Sequence, residues 1–149
     1  MMVVEAIKTS AIEGELLSRK DVMSSMRKNL GLETGHLTGD KRAQGTAALM
    51  LAVRNSFADS LSEETLFDWH RLIMTGHRHV AAGQWRTHAE PMQVVSGAVG
   101  HEQVHFEAPP SSRIPEEMAR FIHWFNDTAP GGSNEIRKAA VRSAIAHLY

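Results

Sequence analysis

A mainly α-helical fold, a compact helical bundle with one projecting β-hairpin, follows from three features of this 149-residue sequence. Five stretches, with a sixth that is apolar around much of its circumference, place apolar residues three to four positions apart, the spacing of one helix face. A single segment, residues 83–110, breaks that rhythm with two short extended runs around a glycine-containing turn. Glycine and proline fall between the periodic stretches rather than within most of them.

The elements follow in chain order. Val4, Ile7 and Ala11, with Ala6 beside them, form a stripe that ends near Gly14. A short second helix carries Val22, Met23, Met26 and Leu30, with Asp21 expected as its N-cap and Gly31 at the C-terminal glycine position. Glu33 to Lys41 reads as loop. From Arg42, the residues Ala43, Ala47, Met50, Val53 and Phe57 predict a third helix with one buried face. Ser62 is expected to cap a fourth, with Glu63 and Glu64 favourably placed near its positive end. Leu66, Trp69, His70 and Ile73 form its inner face, and Gly76 closes it.

The two extended runs are Gln93-Val94-Val95 and Gln103-Val104-His105-Phe106, with Ser96 to Gly100 as the turn. Pro109-Pro110 cannot continue a ladder and ends the second run. Pro115 suits a first helical position, where its missing N–H costs nothing, and Met118, Phe121, Ile122 and Phe125 form the stripe that follows. Pro130-Gly131-Gly132 breaks the chain, and Ser133 or Asn134 is expected to cap a last helix. That helix is apolar around much of its circumference, which predicts a central, buried position.

Composition excludes several classes. Sixteen Lys and Arg against 17 Asp and Glu leave a formal charge of −1. That balance is too low for a phosphate-neutralising nucleic-acid sleeve. An apolar fraction of 42% can build a core, so an acidic disordered tail is excluded too. No apolar run approaches the ~20 residues of a bilayer span. The absence of cysteine excludes thiolate chemistry and fits a reducing compartment. No nucleic-acid or membrane partner and a cytoplasmic location are therefore expected.

His101-Glu102-Gln103-Val104-His105 matches the H-E-x-x-H pattern of zinc hydrolases, which requires both histidines on one helical face. Gly100 before it and Pro109-Pro110 after it leave little room for a helix. On a strand the two histidines would stand about 13 Å apart, too far to share a zinc with bonds of about 2 Å. A zinc hydrolase is thus an alternative, and no metal site is expected.

Thr9-Ser10-Ala11-Ile12-Glu13-Gly14 is more informative. A glutamate at the carbonyl end of a helix opposes the dipole, so it is either an exposed residue before a capping glycine or a carboxylate placed for a cation. The stretch resembles the Ser/Thr-x-x-x-Glu-Gly/Asn inhibitory helix of the Fic family of nucleotidyltransferases. Other pieces resemble that family in order. The helix with Leu66, Trp69, His70 and Ile73 is similar to its first core helix. Gly83-Gln84-Trp85-Arg86 and Met92-Gln93-Val94-Val95 are similar to the start of its flap, and Val104 to Pro110 to the return strand. Met118 to Asn126 resembles the helix after the flap, and Arg137 to Tyr149 the helix leading to the active site.

The resemblance implies a protein adenylyltransferase that moves AMP from ATP to a hydroxyl side chain of a target protein. ATP and Mg are implied for a complete protein. It assigns Thr9, Glu13 and Gly14 to the inhibitory motif, Met92, Val94, Val95 and Ser96 to a target-binding flap edge, and Trp85 and Arg86 to anchoring the flap. The family signature His-Pro-Phe-x-Asp/Glu-Gly-Asn-Gly-Arg supplies base, phosphate cradle and metal ligand. No such stretch occurs in the chain. These residues are therefore expected to be a fragment, inactive in AMP transfer and needing no cofactor, with no catalytic residue of their own. Residues 1–32 would hold the inhibitory and following helices, and 40–149 the first part of the core. A catalytically dead interaction module is a further alternative, and a homodimer covering the incomplete core is left open.

Overall fold

Three helices that each bury a small-residue face begin the computed structural model, which describes residues 1–149. They are α1 (Met2–Ile12), α2 (Arg19–Asn29) and α3 (Lys41–Ser56). Ala6, Leu17, Val22, Met26, Ala43 and Ala47 form their shared core, with Met2, Val3, Ile7 and Met50 packed at its margin. The face of α1 that turns inward runs through Ala6, while Val4 and Ala11 of the expected stripe are exposed. Both lie on the side of the turn opposite Ala6, so the real stripe is rotated by about one residue.

Each of the first two helices ends in a pair of crossed backbone bonds that demand a left-handed residue. Gly14 (φ 81°) donates to Ala11 O and Glu15 to Ser10 O. Gly31 (φ 70°) donates to Lys28 O and Leu32 to Arg27 O. This is the glycine-terminated helix end in which orphan carbonyls regain donors.

The N-cap of α2 is Ser18, whose hydroxyl accepts from Asp21 N at 3.4 Å, not Asp21 itself. Asp21 instead holds the loop before α3: His36 Nε2 lies 3.1 Å from its carboxylate. The Thr38 hydroxyl first, and His36 second, keep the Asp21 carboxyl below its ordinary range. A carboxyl depressed in the folded state adds stability above the unfolded Asp range, and that stability disappears as pH falls through the folded value. Amide protection across residues 33–40, taken relative to the intrinsic exchange rate at each pH, is therefore expected to fall on acidification below about pH 4. Asp21→Asn should remove that pH dependence.

Asp40 caps α3, its carboxylate accepting from Arg42 N at 2.9 Å. Phe57, expected on the buried face, lies one residue past the helix and is 83% exposed. In the second turn of α3, Gly45 admits α4 (Glu63–Ile73) at backbone distance. A Cβ added there would stand 2.3 Å from Leu72 O. The expected inner face of α4 is half-buried rather than buried, and its His70 Nδ1 accepts from Gly83 N at 3.1 Å.

Residues 1–60 and 64–83 make up one compact unit, and residues 61–63 and 84–149 a second. The second contains the antiparallel pair β1 (Gln93–Ser96) and β2 (Gln103–Glu107), then α5 (Ile114–Asp127) and α6 (Ala139–Leu148). Asn126 on α5 clamps Leu61, which is 6% exposed, accepting from its N–H at 2.7 Å and donating to its carbonyl at 2.9 Å.

Neither Ser133 nor Asn134 caps α6, which begins after Lys138 without a side-chain cap. Asn134 folds back instead, with Nδ2 donating to Asp127 Oδ2 at 2.6 Å. Arg142 ties α6 to the end of α5. It donates to Phe125 O at 2.6 Å and to Thr128 Oγ1 at 3.2 Å, with its guanidinium 3.8 Å from the Phe125 ring centre. The expected burial of α6 is not observed: Val141, Ile145 and Leu148 are exposed. Periodicity shows that the helix has an apolar surface, but burial also needs a facing layer, and none lies over these three side chains.

Candidate functional site

Ala6, Thr9, Ser10 and Glu13 are spaced so that α1 presents them on neighbouring sides of one face. They line a cavity of about 410 Å³ in the first unit, together with Leu17, residues of α3 and the end of α4. The core-facing stripe of α1 thus changes from apolar to polar as it runs towards its C-terminal end, with Glu13 last.

Two carboxylates border this cavity and only one is paired. Glu15 accepts from Arg42 Nη1 at 2.8 Å, and the same guanidinium lies 3.7 Å from Asp40. Glu13 has neither an ion pair nor a side-chain hydrogen bond, and it sits at the helix end whose carbonyls repel an anion. The Glu15–Arg42 pair was not readable from the sequence, since its members lie 27 residues apart with no local spacing to signal them. Gly14, expected in the motif, acts through its backbone as the helix terminator and lies outside the cavity lining.

The hairpin lies in the second unit. Gln93 pairs with Glu107, Val94 with Phe106, Val95 with Val104 and Ser96 with Gln103. His105 is left as the bulged residue. Its Nε2 lies 2.6 Å from Ser96 Oγ, and Gln93 Nε2 donates to Glu107 Oε2 at 2.6 Å. Met92, Val94 and Val95 are exposed, and the two-stranded sheet has no third strand beside β1. Arg86 closes the hairpin's base. It donates to Pro109 O and, at 2.9 Å, to Ser111 Oγ, whose hydroxyl reaches back to His88 O at 2.5 Å. Trp85 Nε1 donates to Glu63 Oε2 at 3.2 Å.

The H-E-x-x-H match spans a turn and a strand, so the helix that its zinc chemistry requires is not formed. The Gly100 N–H, 2.8 Å from Glu102 Oε1, holds that carboxyl below its usual range. No three His, Cys, Asp or Glu side chains converge on a point that could hold a metal ion. The walls of the cavity beside α1 are mostly apolar. No helix is long and apolar enough to cross a membrane.

Comparison with known proteins divides the chain. Residues 60–149 match the Fic/DOC family, and residues 1–32 match a domain of unknown function, DUF4172. The fold is similar to the crystal structure of a Fic family protein from Desulfovibrio desulfuricans G20, with a TM-score of 0.52 and 23% identity over 87% of this chain. The chain spans 37% of the length of that structure. No curated protein sequence matches it.

Proposed function

Because the chain belongs to the Fic/DOC family, we propose that it forms the restraining and target-docking part of a self-inhibited protein adenylyltransferase. One observation carries this reading: Glu13 is an unpaired carboxylate at the mouth of a cavity, held at the helix end least favourable to it. A charge in that position gains most from a cation brought to it. In this reading the cation is the phosphate-gripping arginine of the family signature, and the pairing obstructs productive placement of the nucleotide. The chain contains no signature residues, so on its own it does not transfer AMP. ATP and Mg belong to a polypeptide that also carries the signature.

The partner is a target protein rather than nucleic acid or membrane. The edge of β1 holds it as an added strand, since main-chain pairing supplies affinity with little demand on sequence. Arg86 serves this docking by closing the base of the hairpin across Pro109 and Ser111. In a polypeptide carrying the signature, the double change Val94→Asp and Val95→Asp is expected to lower AMP labelling of target proteins by roughly tenfold. Both side chains are exposed, so the fold should be unaffected, which circular dichroism checks. Undiminished labelling would remove the flap from target docking.

A further inference from the structure

The cavity beside α1 has chemistry that its role as a frame for Glu13 does not use. At about 410 Å³ it falls in the size range of small-molecule sites. Leu49, Met50, Ile73 and Met74 supply apolar wall from two different helical segments. Three oxygen-bearing side chains line the same space from one face of α1: the Glu13 carboxylate and the Thr9 and Ser10 hydroxyls. None of the three has a side-chain hydrogen-bond partner, and Glu13 has no ion pair.

The charges decide what could enter. Arg42 is the permanent cation of the lining, which also contains His77, and Glu15 at 2.8 Å and Asp40 at 3.7 Å already engage the guanidinium. An anionic ligand would have to displace that pair and would meet Glu13 as well. A purely apolar ligand would fill the walls but strip water from a carboxylate without replacing it, which is costly. A ligand with an apolar body and one ammonium group satisfies both parts. Its three N–H donors match one carboxylate and two hydroxyls, and its chain covers the apolar wall.

We propose that this cavity is a binding site for a small primary alkylamine, with the ammonium on Glu13, Thr9 and Ser10 and the alkyl chain against Leu49, Met50, Ile73 and Met74. The site stands on cavity geometry and on the free carboxylate, independently of AMP transfer. If Glu13 also restrains the nucleotide, an amine seated on it competes with that restraint, and this consequence alone rests on the proposed function.

The test is calorimetric titration of the 149-residue chain with n-hexylamine hydrochloride at low salt, without nucleotide. Saturable one-to-one binding is expected, at least tenfold tighter than binding of n-hexanol or hexanoate. Glu13→Gln, at an exposed position, should weaken hexylamine at least tenfold while leaving hexanol unchanged. Methyl resonances of Met50 and Met74 should shift on binding. Absence of saturable binding, equal affinity for hexanol, full affinity in Glu13→Gln, or shifts confined to residues outside the cavity would each overturn the proposal. Because no ATP is present, its failure leaves the AMP-transfer reading untouched, and the reverse holds as well.

Discussion

Replacement of Glu13 by glycine is expected to raise AMP transfer by roughly tenfold or more in a polypeptide that carries both this chain and the family signature. A tenfold change corresponds to about 1.4 kcal/mol of barrier. The structure makes the substitution a clean one. Termination of α1 depends on the backbone of Gly14 and Glu15, not on the Glu13 side chain. Glu13 itself has φ −84° and ψ 10°, a conformation open to any residue. The change therefore removes a carboxylate without removing the cap. Glu13→Gln, which keeps the shape and loses the charge, should produce most of the same increase. Labelled AMP incorporation measures both, and an unchanged rate in both would defeat the inhibitory assignment.

The largest expected effect on stability lies elsewhere, at Asn126. Its side-chain amide satisfies both the N–H and the carbonyl of Leu61, 65 positions away in sequence. Leu61 is nearly inaccessible, so water cannot replace both bonds without opening the segment. Each buried group left unpaired costs about 1–3 kcal/mol. Asn126→Ala is therefore expected to lose about 3 kcal/mol in a denaturant titration. Asn126→Asp keeps the acceptor for Leu61 N–H and loses the donor, so its loss should be smaller. A loss below about 0.5 kcal/mol in the alanine variant, the range of ordinary surface changes, would show that the clamp contributes little.

Those two residues also mark what could be read from sequence. The place of Glu13 at the end of α1 was legible because Gly14 terminates the helix locally. Gly31, the Gly-containing hairpin turn and the proline-led start of α5 were legible for the same reason: turn chemistry acts over a few residues. Asn126 was not, because nothing within a helical turn of it indicates that its partner is Leu61. Arg142 and the Glu15–Arg42 pair were hidden in the same way.

Capping assignments failed where two candidates competed. Ser18 displaced Asp21 because the carboxylate had a better use on Thr38 and His36. Asn134 bonds Asp127 instead, and α6 begins only after Lys138, too far along the chain for Asn134 to cap it. The cavity itself was invisible in the sequence, since it needs α1, α3 and the end of α4 brought together. Close approach of α4 depends on Gly45, whose missing side chain leaves room for Leu72 O. For α6 the apolar pattern predicted a buried position, which the exposed Val141, Ile145 and Leu148 contradict, because periodicity carries no information on whether a cover is present.

In the proposed function this chain carries a restraint and a docking edge but not the means to grip a nucleotide. Equilibrium titration of the 149-residue chain with ATP and Mg tests this directly. The expected result is no saturable binding, because the sequence lacks the family signature that supplies the phosphate cradle and the metal ligand. One-to-one binding in the micromolar range, equivalent to about 8 kcal/mol, would contradict it.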